Sequence, residues 1–174
     1  KLQCTLNGAT VKIEVNGTKR GIIGVTEDKM LCDKAQKEFS MACKARTVSY
    51  SQLYGGKITA ALSRQHPRDL FDCKYMEISS FGDVKDGFML CLLGSDKPII
   101  ESLQPNSIDQ ADALEKQFKG MSDVEFSYAD YEEARVNLIA EVNAAFTETD
   151  KDFILSFEKG TPEWNKCSAG DLSC

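Results

Sequence analysis

The chain reads as an α+β protein, a small N-terminal sheet packed on a helical remainder, and three features predict this. Residues 10–16 (Thr-Val-Lys-Ile-Glu-Val-Asn) put Val11, Ile13 and Val15 on one face and Lys12 and Glu14 on the other, the period of a half-buried strand. The Asn7-Gly8 pair ahead of them is the strongest short signal for a tight hairpin, with residues 2–6 as partner strand. From residue 51 the density of β-branched residues falls and apolar residues recur at helical spacing.

At 174 residues with 42% hydrophobic content, the chain is long enough to bury a core. A sheet region at 1–50 and a helical region at 51–174 are expected to form one compact unit. A formal net charge of -6 argues against broad electrostatic binding to nucleic acid or anionic membranes, while leaving room for a local basic patch. No apolar run approaches the length of a membrane span, and the first residues lack a secretory-signal pattern. Seven cysteines are widely spaced with no Cys-x-x-Cys pair and a single histidine, His66. They signal neither a zinc site nor a disulfide framework, and read as reduced thiols of a cytoplasmic protein. The first residue is Lys1 rather than Met, which suggests a fragment or a processed piece.

In chain order, Asn16-Gly17 predicts a second turn and residues 20–25 a short strand. Residues 27–37 are ambiguous between helix and loop, and residues 39–50 read as a strand. Ser51 suits the N-cap of a helix through Arg64, although Gly55-Gly56 weakens its first turns. Pro67 fits the first turn of the next helix, with Asp69 near its positive end. Further helices are expected over 83–93, ended by Gly94, and over 107–118, 128–146 and 150–159, the last stopped by Gly160 and Pro162.

The densest potential chemistry lies in residues 54–75, a helical hairpin with Lys57 on one arm and Asp69 and Asp72 on the other. Two carboxylates three residues apart share a helix face, and with a lysine opposite they could hold a divalent cation and grip a nucleotide's phosphates. Spacing alone also allows a structural reading, in which Asp69 favours the helix dipole and Arg68 pairs with Asp72 at i, i+4. Gly55-Gly56-Lys57-Ile58-Thr59 is not a phosphate-binding loop of the Gly-x-x-x-x-Gly-Lys-Ser/Thr kind, because the first glycine and the Ser/Thr after the lysine are missing. His66 reads as a loop residue, and the Asp150-Lys151-Asp152 pair of acids as part of a helix cap.

Lys57-Ile58-Thr59-Ala60-Ala61-Leu62, then Arg64 and Arg68-Asp69-Leu70-Phe71-Asp72, resembles the Lys-x-x-Ala-Leu…Arg…Arg-Asp-Leu-Tyr/Phe-Asp signature of the AbiEii/AbiGii toxin family of nucleotidyltransferases. Residues 11–16 look like the family strand that bears a third acidic position. Residues 118–121 and 153–164 look like its later helical region. The resemblance implies a nucleotidyltransferase core, here a sheet remnant, followed by a helical half. It implies transfer of a nucleotide from a nucleoside triphosphate, with Mg²⁺, to an acceptor that in relatives is tRNA. Lys57 would contact the triphosphate, Asp69 or Asp72 would be the late catalytic acid, and Glu14 the third carboxylate near the metal. Arg64 and Arg68 would support phosphate or orient the acids. The family's role is the toxin half of a bacterial toxin-antitoxin or phage abortive-infection system, so an antitoxin partner is implied.

The family's early Gly-Ser/Thr and Asp-x-Asp/Glu pair should precede residues 11–16, yet the ten residues before that strand contain no acid. Metal-assisted transfer needs such carboxylates, so a truncated or divergent member, weak or inactive alone, is the expectation. The alternative is a non-catalytic interaction or nucleotide-binding module that reuses the fold. A homodimer is also expected, since the early sheet would keep an unpaired edge.

Overall fold

The computed structural model describes residues 2–6, 8–14 and 21–169, and its architecture is α+β. Strands β1 (Leu2–Leu6) and β2 (Ala9–Ile13) pair antiparallel through Gly8, whose φ of 82° supplies the tight turn. Leu2 faces Ile13 and Cys4 faces Val11 in the register, so the alternating pattern does build one apolar face. That face is uncovered: Leu2, Val11 and Ile13 are 58%, 61% and 48% exposed. The expected turn at Asn16-Gly17 lies outside the described residues.

Residues 21–25 are not a strand, because Gly21 and Gly24 take positive φ and the loop instead docks on the following helix. The Ile23 amide donates to Gln52 Oε1 at 3.1 Å, and Gln52 Nε2 donates to the Gly21 carbonyl at 3.2 Å. Strand β3 (Glu27–Met30) and helix α1 (Asp33–Phe39) divide the ambiguous stretch between them. The strand expected over 39–50 shrinks to β4 (Lys44–Thr47), antiparallel to β3, because Phe39 completes α1 and Ser40 closes it in a left-handed conformation. Two separate two-stranded ribbons thus replace a continuous sheet.

The remainder is helical: α2 (Tyr50–Arg64), α3 (Pro67–Tyr75), α4 (Lys85–Leu93), α5 (Ile99–Leu103), α6 (Ala111–Ala113), α7 (Tyr128–Ala145) and α8 (Glu148–Glu158). Helix α6 widens into a π-turn at Leu114–Phe118. The N-cap of α2 is Ser49, whose hydroxyl accepts from the Gln52 amide at 3.3 Å, rather than Ser51. Ser51 is diverted because its hydroxyl accepts from the Gly87 amide at 2.9 Å, tying α2 to α4. The hydrophobic core is drawn from the helical region, with Ile58 and Leu62 of α2, Leu70 of α3, Phe88 of α4, Tyr131 of α7 and Phe153 of α8 all buried. A final turn, Trp164–Lys166, lays the single tryptophan on Phe153 with ring centroids 5.5 Å apart.

At the crossing of α2 and α4 the two backbones touch. A Cβ at Gly55 would overlap the backbone of Phe88, and one at Gly87 would overlap that of Ser51. Gly56, one residue on, has room, since its Cβ would meet only Cys91 Sγ at 3.6 Å. Gly87→Ala should therefore lower stability by about 3 kcal/mol through overpacking. Gly56→Ala should be neutral or raise it by up to about 1 kcal/mol through helix propensity. Equal urea midpoints for the two variants would contradict this close approach.

Helix α8 is fixed to α4 by a buried pair, Lys85 Nζ to Asp150 Oδ2 at 2.8 Å, with the acid 3% and the lysine 18% exposed. Asp150 also closes a capping box with Thr147. Burial pushes its carboxyl up, but hydrogen bonds from Lys85 and Thr147 outweigh that and hold it below the ordinary value. A depressed carboxylate contributes stability that is complete above the unfolded value, about 3.9 for Asp, and is lost as pH falls through the folded value. Asp150→Asn should cost about 3 kcal/mol near neutrality, since it leaves Lys85 unpaired. Its urea midpoint should also fall less steeply than the parent's below about pH 4. Parallel acid limbs for the two proteins would exclude the assignment.

Candidate functional site

Two helices of opposite direction, α2 and α3, meet at a sharp turn, and the turn's own chemistry fixes their relation. Gln65 ends α2 with φ at 49°, a left-handed conformation that is unfavourable for a non-glycine residue. It is held there because its carbonyl accepts from the buried Tyr131 hydroxyl at 3.0 Å, while its side-chain amide donates to the Asn106 carbonyl at 2.7 Å. Arg135, 6% exposed, braces the same turn by donating to the Ile108 carbonyl at 3.0 Å and lies over the Tyr131 ring at 5.4 Å. His66 then caps α3: its Nδ1 accepts from the Arg68 amide at 3.2 Å. With Nδ1 as acceptor, the ring proton sits on Nε2, which lies 3.2 Å from Gln117 Oε1 on the π-turn.

The turn brings Lys57 and Asp72 together, Nζ to Oδ2 at 2.6 Å, with both side chains 40% exposed. It also brings together Arg64 and Asp69, Nη2 to Oδ1 at 2.8 Å. The two acids share one face of α3, as their spacing requires, and each meets a cation from α2. Asp72 thus pairs across the hairpin rather than with Arg68 along its own helix. Arg68 is exposed and has no ion-pair partner among the described residues. The half-exposed Lys57–Asp72 pair contributes about 0–1 kcal/mol, so exchanging Asp72 for a phosphate group costs the fold little, whereas Asp69 is only 13% exposed.

Cys73 lies beside this ladder with its thiol pushed up to about 12, first by burial, then by the Asp72 and Asp69 charges, against a smaller opposing effect of Lys57. It is therefore an inert thiol rather than a nucleophile. None of the six described cysteines is joined in a disulfide.

Glu14 stands apart from these groups. It pairs with Lys12 at 2.8 Å on the polar side of β2, and no three His, Cys, Asp or Glu side chains converge among the described residues. Glu14, Asp69 and Asp72 thus do not come together as a cluster in this structure. The sequence places Tyr131 in the apolar stripe of the 128–146 helix but does not show that it and Arg135 brace this turn. Arg135 left a signal, a charged residue beside Ala134 within the apolar stripe of α7.

Two measurements bear on this geometry. A double-mutant cycle of Lys57→Ala and Asp72→Ala should return a coupling no larger than about 1 kcal/mol. His66→Ala should cost about 1 kcal/mol and His66→Asn recover most of it, as expected of an N-cap. A His66→Asn protein as weak as His66→Ala would contradict the capping role.

A family model described as "Nucleotidyl transferase AbiEii toxin, Type IV TA system" matches residues 1–165 of the chain. No curated protein and no solved structure matches it.

Proposed function

The chain belongs to the AbiEii nucleotidyl transferase toxin family of type IV toxin-antitoxin systems, and from that premise we propose that its α2–α3 hairpin is the polyphosphate-gripping half of a nucleotidyl-transfer site. The observation that carries this reading is the ladder itself. Lys57 and Arg64 lie on one stripe of α2, each paired with an acid of α3, and Arg68 is exposed in the first turn of α3. Of these five charged side chains, three are cations and two are acids, so one positive charge is left over for an anion.

A nucleoside triphosphate would enter by displacing Asp72 from Lys57 and Asp69 from Arg64, phosphate oxygens taking the place of carboxylate oxygens. Lys57 holds the chain of phosphates as a compact point charge, and Arg64 and Arg68 offer planar forks that orient it. Mg²⁺ supplies charge neutralisation in such transfers. Because Glu14, Asp69 and Asp72 do not converge, the role of these residues is binding and orientation, and transfer by this chain alone is weak or absent. The acceptor is a tRNA, the setting bacterial and cytoplasmic, and the partner an antitoxin. No described helix is long and apolar enough to cross a membrane.

Titration calorimetry with ATP, GTP, CTP and UTP tests the reading. Lys57→Ala should weaken the best-bound nucleotide at least about tenfold, the loss of one charged contact. Unchanged affinity would remove the hairpin from the site.

A second reading is an interaction module without catalysis, favoured by the uncovered apolar face of Leu2, Val11 and Ile13, which a second copy or an antitoxin could cover. Mg²⁺-dependent transfer of labelled nucleotide to tRNA by the 174-residue chain would eliminate it.

A further inference from the structure

Helix α2 presents a second feature beside its row of cations. Lys57 and Arg64 are seven residues apart and so share a stripe. Gly56, Ala60 and Ser63 form the neighbouring stripe, and beside them runs an open groove of about 490 Å³. Its far wall is Cys91, Ser95, Asp96 and Lys97, at and beyond the end of α4. Arg64 belongs to both features, as a member of the ladder and as part of the groove lining.

We propose that this groove is the nucleoside subsite of the triphosphate whose phosphates the Lys57–Arg64 stripe grips. The proposal rests on the preceding reading of the hairpin. Four properties of the groove carry it. The volume falls in the range of small-molecule pockets, about 300–1,000 Å³. Gly56 and Ala60 put nothing larger than a methyl group into the lining, beside Thr59, and a Cβ at Gly56 would meet only Cys91 Sγ at 3.6 Å. The far wall is held in place, since Lys97 Nζ donates to the Ser63 carbonyl and the Lys97 amide donates to Ser95 Oγ at 3.2 Å. Ser63 keeps a buried hydroxyl with no hydrogen-bond partner among the described residues. Ser63 lines the groove, and its hydroxyl can both donate to and accept from a ribose hydroxyl or base edge.

Arg64, at the junction, grips phosphate where the nucleoside leaves the stripe for the groove. A half-polar groove that shares Arg64 with the row of cations matches a nucleoside joined to a polyphosphate. It does not match an extended acidic peptide, which needs charge along its whole length.

The test compares nucleoside triphosphates with inorganic tripolyphosphate by calorimetry on the full chain. Ala60→Leu should fill the floor and weaken the best-bound triphosphate at least tenfold, with tripolyphosphate affinity unchanged. Lys57→Ala should weaken both. Unchanged nucleotide affinity in Ala60→Leu, or equal loss of both ligands, overturns the subsite. If Lys57→Ala alters neither ligand, the hairpin reading fails while Ala60→Leu still judges the groove. Absence of saturable nucleotide binding overturns both.

A measurement on the unsubstituted chain guards against misfolding of the variant. Saturating nucleotide should slow alkylation of Cys91 at least threefold by peptide mass spectrometry, and tripolyphosphate should not. Equal alkylation rates with and without nucleotide overturn the proposal.

Discussion

The contact on which the rest of the structure depends is the backbone crossing of α2 and α4 at Gly55 and Gly87. Neither helix can be displaced there by the width of a methyl group, and the Ser51 hydroxyl on the Gly87 amide adds a directional tie. A helix so anchored near its start projects its later turns along a set line, so Lys57, Ala60 and Arg64 inherit their positions from that contact. Helix α4, fixed in the same way, carries Cys91 and the segment beyond it to the opposite wall of the groove. The cations and the groove are therefore two outcomes of one packing constraint.

The second determinant is the turn at Gln65. A strained backbone persists only where its surroundings over-determine it, and here Tyr131, Arg135 and the Asn106 carbonyl do so from outside the hairpin. Helix α7 thereby sets the angle at which Asp69 and Asp72 meet the cations of α2. The half-exposed Lys57–Asp72 pair contributes little to holding the helices together. That is the condition under which its members remain available to a ligand.

Much of this was legible in the sequence and some was not, for physical reasons tied to particular residues. The Asn7-Gly8 hairpin and the helices from α2 onward announce themselves because turn chemistry and apolar periodicity are local. The stretch at 20–25 misleads because its β-branched residues outweigh two glycines whose positive φ is visible only in the fold. Ser49 and Ser51 are equally good caps by type, and the choice between them lies with Gly87, far along the chain. Helix α5 went unread, being five residues long and sitting behind a proline. At the site, the shared face of Asp69 and Asp72 follows from spacing, and so does Lys57 as their partner across a turn. That Glu14 stays on a separate ribbon, and that a groove opens beside Gly56, depends on tertiary contacts that no local pattern encodes.

The single histidine and the single tryptophan sit on different elements of this architecture. His66 lies at the hinge of the charged hairpin, with one ring nitrogen on a helix amide and the other facing the π-turn. Trp164 rests on Phe153 and Phe157 of α8. Each is a unique spectroscopic label supplied by the sequence itself. Imidazole nitrogen resonances report on the hairpin alone, and indole fluorescence reports on the docking of the last helix. Whether the two regions come apart together or in turn can thus be followed without any substitution in the chain.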